Sequence, residues 1–95
     1  MPRHAASNSA DDLASVLIME WKPGVPRWVQ VYAVIRGRID DGTYAPGDKV
    51  PSVLELMNEY GIANATAQKV LTELKREGLT YSEPGMGTYV MKEPQ

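Results

Sequence analysis

The chain has no cysteine and no phenylalanine, and its one histidine is His4. Without cysteine there is no disulfide framework, no thiolate zinc site and no thiol nucleophile. His4 sits in a polar stretch and reads as a solvated side chain, far from anything that resembles a proton-transfer partner. The carboxylates do not cluster at acid–base or metal-ligand spacing, and Asp40-Asp41 is adjacent rather than convergent, which reads as a solvated helix end. The composition therefore points away from an enzyme and implies neither a metal nor a cofactor.

Long apolar runs are also missing. Leu13–Met19 is too short to span a bilayer. It follows Asp11-Asp12 instead of a basic region, and no small-residue cleavage site comes after it, so neither membrane insertion nor secretion is indicated and the cytoplasm is the expected location. An excess of positive charge is lacking as well: 10 Lys and Arg stand against 12 Asp and Glu, a net charge of −2, with a pI near 5.3. Between residues 25 and 92 the balance is neutral. Arg27, Arg36, Arg38, Lys49, Lys69, Lys75, Arg76 and Lys92 are offset by Asp40, Asp41, Asp48, Glu55, Glu59, Glu73, Glu77 and Glu83. Non-specific attraction to nucleic-acid phosphates should be weak, because each phosphate neutralised needs a placed Lys or Arg.

What is present is a patterned domain. At 95 residues and 43% apolar composition the chain is long enough for one small core. Residues 1–24 read as a flexible or weakly ordered leader, with either a short helix over 9–20 or an edge strand over 16–21. Lys22-Pro23-Gly24-Val25-Pro26 breaks any regular element. Pro26 can open a helix whose stripe is Trp28, Val31, Tyr32, Ile35 and Ile39, stopped by Asp41-Gly42. After a Pro46-Gly47 turn and a short strand at Lys49-Val50, Ser52 and Glu55 form a capping box ahead of Leu54, Leu56 and Met57. Gly61 can end that helix in the left-handed conformation. Asn64 can cap a following helix with Ala67, Val70, Leu71 and Leu74 on its apolar face, closed by Gly78. Leu79–Tyr81 and Thr88–Met91 read as strands around Glu83-Pro84-Gly85-Met86-Gly87, with Tyr81 and Tyr89 able to pair across the hairpin. The expected fold is mainly α with a small β-wing: a winged helix-turn-helix of three helices and a two- to three-stranded antiparallel sheet over 25–92, with 93–95 as a tail. Such an arrangement serves to place one helix in a DNA groove.

The segments Val25-Pro-Arg-Trp-Val-Gln-Val, Ile39-Asp-Asp-Gly-Thr-Tyr-Ala-Pro-Gly-Asp-Lys-Val-Pro-Ser, Tyr60-Gly-Ile, Leu71-Thr-Glu-Leu-Lys-Arg-Glu-Gly-Leu and Pro84-Gly-Met-Gly-Thr-Tyr-Val occur in one order and spacing. In this the chain resembles the N-terminal DNA-binding domain of GntR-type transcriptional regulators. The resemblance implies a regulator, a repressor by expectation, that binds double-stranded DNA as a homodimer on a near-palindromic operator. It would lie in the cytoplasm, on the nucleoid when bound. Typical members add a C-terminal effector domain, and no small-molecule effector domain is expected here. Members commonly carry arginine where this chain has Leu54, Asn64 and Gln68, and often a basic residue where Met86 stands. Arginine grips guanine O6 and N7, whereas an amide pairs with adenine N6 and N7, so readout is expected to shift from charge toward neutral hydrogen bonding.

The expected DNA-binding residues are Asn64, Ala65, Thr66, Gln68 and Lys69 at the start of the recognition helix, Ser52 at the preceding helix N-terminus, and Gly85, Met86, Gly87 and Thr88 in the wing. Gln68 is the first candidate for a base contact. Each has a blander reading: Gln68 and Lys69 as a solvated face, Asn64 and Ser52 as caps, Thr66 as a hydroxyl bonded to its own backbone, the glycines as turn requirements. Arg36 and Arg38 could flank DNA or a second subunit, and Lys75 and Arg76 could pair with Glu73 and Glu77. The alternative function is a winged-helix module that has lost DNA binding and uses the same face for a protein partner.

Overall fold

In the computed structural model of the chain, residues 20–92 are described, and the expectations for 1–19 and 93–95 lie outside them. Three helices, α1 (Arg27–Asp40), α2 (Val53–Tyr60) and α3 (Asn64–Arg76), precede a hairpin of β1 (Thr80–Glu83) and β2 (Gly87–Val90). None of these helices is long and apolar enough to cross a membrane.

Pro26 occupies the N-cap of α1. Its fixed φ suits a helix start. Its carbonyl accepts from Val29 N at 3.1 Å. The α1 stripe turns inward: Val31 and Ile35 are fully buried, and Trp28, Tyr32 and Ile39 pack around them. Trp28 meets Tyr32 edge-on, with ring centroids 6.1 Å apart. The core is completed by Leu56 and Tyr60 from α2, Ile62 from the turn, and Ala67, Val70 and Leu74 from α3. Leu71, expected on the same face of α3, is only half-buried at its margin.

The helix ends follow from side-chain and glycine chemistry. Ser52 Oγ accepts from Glu55 N at 3.2 Å. In return, Glu55 Oε1 accepts from Ser52 N at 2.8 Å. The capping box of α2 is therefore complete. Gly61, at φ 66°, reverses the chain and its N–H donates to Met57 O. α3 ends in a Schellman motif, with Gly78 N bonded to Lys75 O and Leu79 N to Leu74 O. One capping expectation is corrected. Ala63, not Asn64, is the N-cap of α3, and no side chain satisfies that end. Asn64 is already helical there, so its amide points along the helix surface and bonds Gln68 instead.

The hairpin register pairs Thr80 with Val90, Tyr81 with Tyr89, Ser82 with Thr88 and Glu83 with Gly87. Its turn closes with Met86 N donating to Glu83 O at 2.9 Å. Between them lie Pro84 and Gly85, the latter at φ 75°. A type II turn requires that combination. β1 starts one residue and ends two residues later than expected, and β2 starts and ends one residue earlier; Leu79 N is spent on closing α3, which delays the start of β1. The expected short strand at Lys49-Val50 joins as a third segment: Lys49 bridges Tyr89, Val50 N donates to Thr88 O, and Val90 N donates to Asp48 O. Alternation then sorts the faces. Val50, Thr80 and Val90 are buried beneath the sheet. Tyr81 and Tyr89 stack outside it, with ring centroids 5.9 Å apart.

Candidate nucleic-acid interface

The three-residue link Gly61-Ile62-Ala63 between α2 and α3 is a helix-turn-helix joint, held by a buried Ile62 below and a left-handed Gly61 above. Burying Ala67, Val70 and Leu74 at intervals of three and four turns the opposite face of α3 to solvent. Asn64, Ala65, Gln68 and Lys69 are exposed on it and Thr66 is half-buried. Ser52 lies half-buried at the start of α2, and Gly85 and Met86 are exposed at the hairpin turn, with Gly87 and Thr88 half-buried behind them. The expected residues thus fall on three elements: the N-terminus of α2, the first turns of α3 and the wing.

Among the described residues, Gln68 Nε2 donating to Asn64 Oδ1 at 2.9 Å is the one side-chain hydrogen bond that joins two of them. That bond fixes both amides one turn apart. It leaves Gln68 Oε1 as a free acceptor. Asn64 Nδ2 remains a donor whose sole described contact is the weak acceptor Met57 Sδ at 3.9 Å. A donor beside an acceptor complements the adenine edge in the major groove.

Two cations of α3 are already engaged, whereas Lys75, expected to pair with Glu73 and Glu77, has no ion pair among the described residues. Lys69 Nζ stands 3.2 Å from Glu73 Oε2 and 5.0 Å from the centre of the Trp28 ring. Arg76 clasps the same Glu73 at 2.6 Å and reaches Glu77 at 3.3 Å. Spacings of four and three along the helix suggest the two pairs to Glu73. The Arg76 hydrogen bond, with Lys69 adding to it, holds the Glu73 carboxyl below its ordinary value. The capping bond from Ser52 N does the same for Glu55. Arg36 pairs with Asp40 at 3.5 Å, and Arg38 links α1 to Glu59 of α2 at 3.7 Å and to the Tyr44 hydroxyl at 3.3 Å. Both of those arginines are therefore committed within the domain.

Two features were not read from the sequence. Gln30, almost fully buried on α1, accepts from Lys22 N at 2.9 Å and donates to Val25 O at 2.9 Å, which ties the incoming chain to the helix. Arg27 also lies 4.7 Å from the centre of the Trp21 ring. The signal available was the pair Pro23 and Pro26: prolines lack N–H groups, so a loop containing them needs side-chain partners to close. The second is Lys49, placed on the wing by its bridge to Tyr89.

Three helices, a turn of this geometry and an antiparallel wing define a winged helix-turn-helix. The profile of bacterial regulatory proteins of the gntR family matches residues 28–90, and the chain belongs to that family. It is 36% identical over 77 residues to the histidine utilization repressor of Pseudomonas putida, covering 80% of this chain and 31% of that protein. It is 31% identical over 68 residues to the arabinose metabolism transcriptional repressor of Geobacillus stearothermophilus, covering 72% of this chain and 19% of that one. The chain thus spans about a third or less of these relatives. Its structure is similar to the DNA-binding domain of AraR in complex with operator ORX1 (TM-score 0.71, 32% identity, 77% of this chain and 93% of that one). It is also similar to a GntR family transcriptional regulator from Listeria monocytogenes (TM-score 0.73, 30% identity, 77% and 64% covered).

Proposed function

We propose that this chain binds double-stranded DNA sequence-specifically and represses transcription, with α3 in the major groove and the wing along the neighbouring backbone. The observation that carries the reading is the exposed, hydrogen-bonded Asn64–Gln68 pair at the start of a recognition helix, in a domain of the same fold as an operator-bound relative. Gln68 reads an adenine, and Asn64 orients it. Thr66 and the N-terminus of α2 at Ser52 contact the backbone. Gly85 and Gly87 bring the wing close to the DNA, and Lys69 reaches a phosphate only when it gives up Glu73. One module covers too few base pairs for useful specificity, so two copies bind half-sites about 34 Å apart on a near-palindrome. Residues 25–92 are the binding unit, and residues 9–20 contribute to pairing the copies. A chain lacking 9–20 is then monomeric in sedimentation, whereas a persistent dimer removes that segment from the role. The protein is not an enzyme in this reading, and it acts in the cytoplasm.

Selection from a random duplex library by the full chain, at low and at near-physiological salt, tests the function. Enrichment of a near-palindrome that persists at the higher salt supports it. No enrichment at either salt favours the second reading, a protein-docking winged helix. The exposed Leu54 and Met86, where charge would serve DNA better, are the observation behind that alternative.

A further inference from the structure

We infer that Lys49 is the phosphate-binding cation of the wing, delivered from the third sheet segment instead of from the hairpin turn. The inference rests on the DNA-binding reading above and names a contact within it.

The register carries the first part of the argument. Lys49 bridges Tyr89, and Tyr89 pairs with Tyr81, so Lys49, Tyr89 and Tyr81 form one row across the sheet. Val50, Val90 and Thr80 are buried on the other face, which turns this row outward. A lysine thus stands at the end of a stacked tyrosine pair on the exposed side of the wing.

The second part is the path of the side chain. A Cβ placed at Gly87 would lie 2.6 Å from Lys49 Cε and 3.5 Å from both Lys49 Cδ and Nζ. The lysine stem therefore lies against the bare Cα of Gly87, and a side chain at 87 would displace it. Gly87 also has φ 137°, where L residues are strained. The glycine serves the backbone and the lysine together. The stem lies along the wing and Lys49 as a whole is exposed, as expected of a long cationic side chain that covers apolar surface with its stem.

The third part is charge. Among the described residues Lys49 has no carboxylate within ion-pair distance, in contrast to Arg36, Arg38, Lys69 and Arg76. Glu55, Glu59 and Tyr44 share a concavity with it, but one Glu55 oxygen is committed to Ser52 N. At the turn itself stands Met86, 63% exposed and unable to neutralise a phosphate. If the wing contributes a cation to counterion release, Lys49 is placed to supply it.

Titration of the selected operator against the full chain over a range of salt concentrations tests this, comparing wild type with Lys49→Met, which keeps the stem, and Lys49→Arg, which keeps the charge. Loss of one phosphate contact lowers the slope of log K against log salt by about 0.9. Lys49→Met should show that decrease with base preference unchanged, so the wild-type advantage shrinks about threefold between about 50 and about 200 mM salt. Lys49→Arg should keep the wild-type slope. Lys49→Gln repeats the measurement if the methionine variant does not fold. A slope and affinity unchanged in Lys49→Met, with wild type binding its operator, overturn the Lys49 assignment and leave the DNA reading intact. Failure of the wild-type chain to bind any duplex overturns both.

Discussion

Ser52, Gln30 and Gln68 illustrate three different uses of a polar side chain in one small domain. Ser52 closes a helix end: its hydroxyl and the Glu55 carboxylate satisfy two backbone N–H groups that no helical carbonyl can reach. Ser52→Ala should cost about 1 kcal/mol in urea denaturation, within the usual range of about 0.5–2 kcal/mol for a lost cap. Gln30 works in the interior, where its amide replaces water for Lys22 N and Val25 O. Gln30→Ala leaves those groups without their partner and should destabilise by about 1–3 kcal/mol. Faster amide exchange at Lys22 would locate the loss in the segment before α1, and unchanged exchange there would show that the loop does not depend on Gln30. Gln68 faces solvent and is bonded only to Asn64 among the described residues. Its truncation should therefore leave stability nearly unchanged. On DNA, Gln68→Ala should cost about 1–3 kcal/mol and relax preference at one operator position. Selection with the variant checks it: the same preference at every position would remove Gln68 from the readout.

At the scale of elements, α3 separates its tasks by face and by turn. Its inward face is apolar and sits on α1 and α2. Its first turn carries the uncharged hydrogen-bonding groups Asn64 and Thr66, with Gln68 following, and from Lys69 onward Lys69, Glu73 and Arg76 form one cluster. Glu73 is only 8% exposed and accepts from two cations, which orders their side chains along the helix. The wing is similarly divided. Its inner face, with Val50, Thr80 and Val90, closes the domain, and its outer face holds the tyrosine stack and Lys49. Arg38 connects α1 to Glu59 of α2 and to Tyr44 of the loop between them.

For the molecule as a whole, most of the described carboxylates are engaged within the domain. Glu73, Glu55 and Asp41 are held below their ordinary values, by Arg76, by the Ser52 N–H and by the Thr43 hydroxyl respectively as the first cause. A carboxylate depressed in the folded state contributes stability above its unfolded pKa, and that contribution is lost as pH falls through the folded value. The ordinary values are 4.5 for Glu and 3.8 for Asp. The melting temperature should therefore be level from about pH 7 to about pH 5 and fall below about pH 4, as calorimetry across that range would show. Stability that held steady to about pH 2 would mean that these contacts persist in the unfolded chain or contribute nothing.

Local chemistry fixes much of this protein without reference to the rest of the chain. The capping box at Ser52, the left-handed ends at Gly61 and Gly78 and the Pro84-Gly85 turn are encoded within a few residues, because each satisfies its own backbone groups. The apolar spacing of α1 and α3 likewise reveals their buried faces, since a helix repeats about every 3.6 residues. The Tyr81–Tyr89 pair follows from the turn that sets the hairpin register. Tertiary structure decided what no short window contains. Asn64 is not a cap because the turn from α2 delivers the chain one residue earlier, at Ala63. Lys69 faces Trp28, and Arg38 faces Glu59, because α1 is packed on α3 and α2 is held beside them. Lys49 reaches the wing only through its pairing with a strand much further along the chain, at Tyr89. Side-chain charge can be counted along a sequence, but whether it is free or already paired depends on long-range packing, and that packing sets what this surface can offer to DNA.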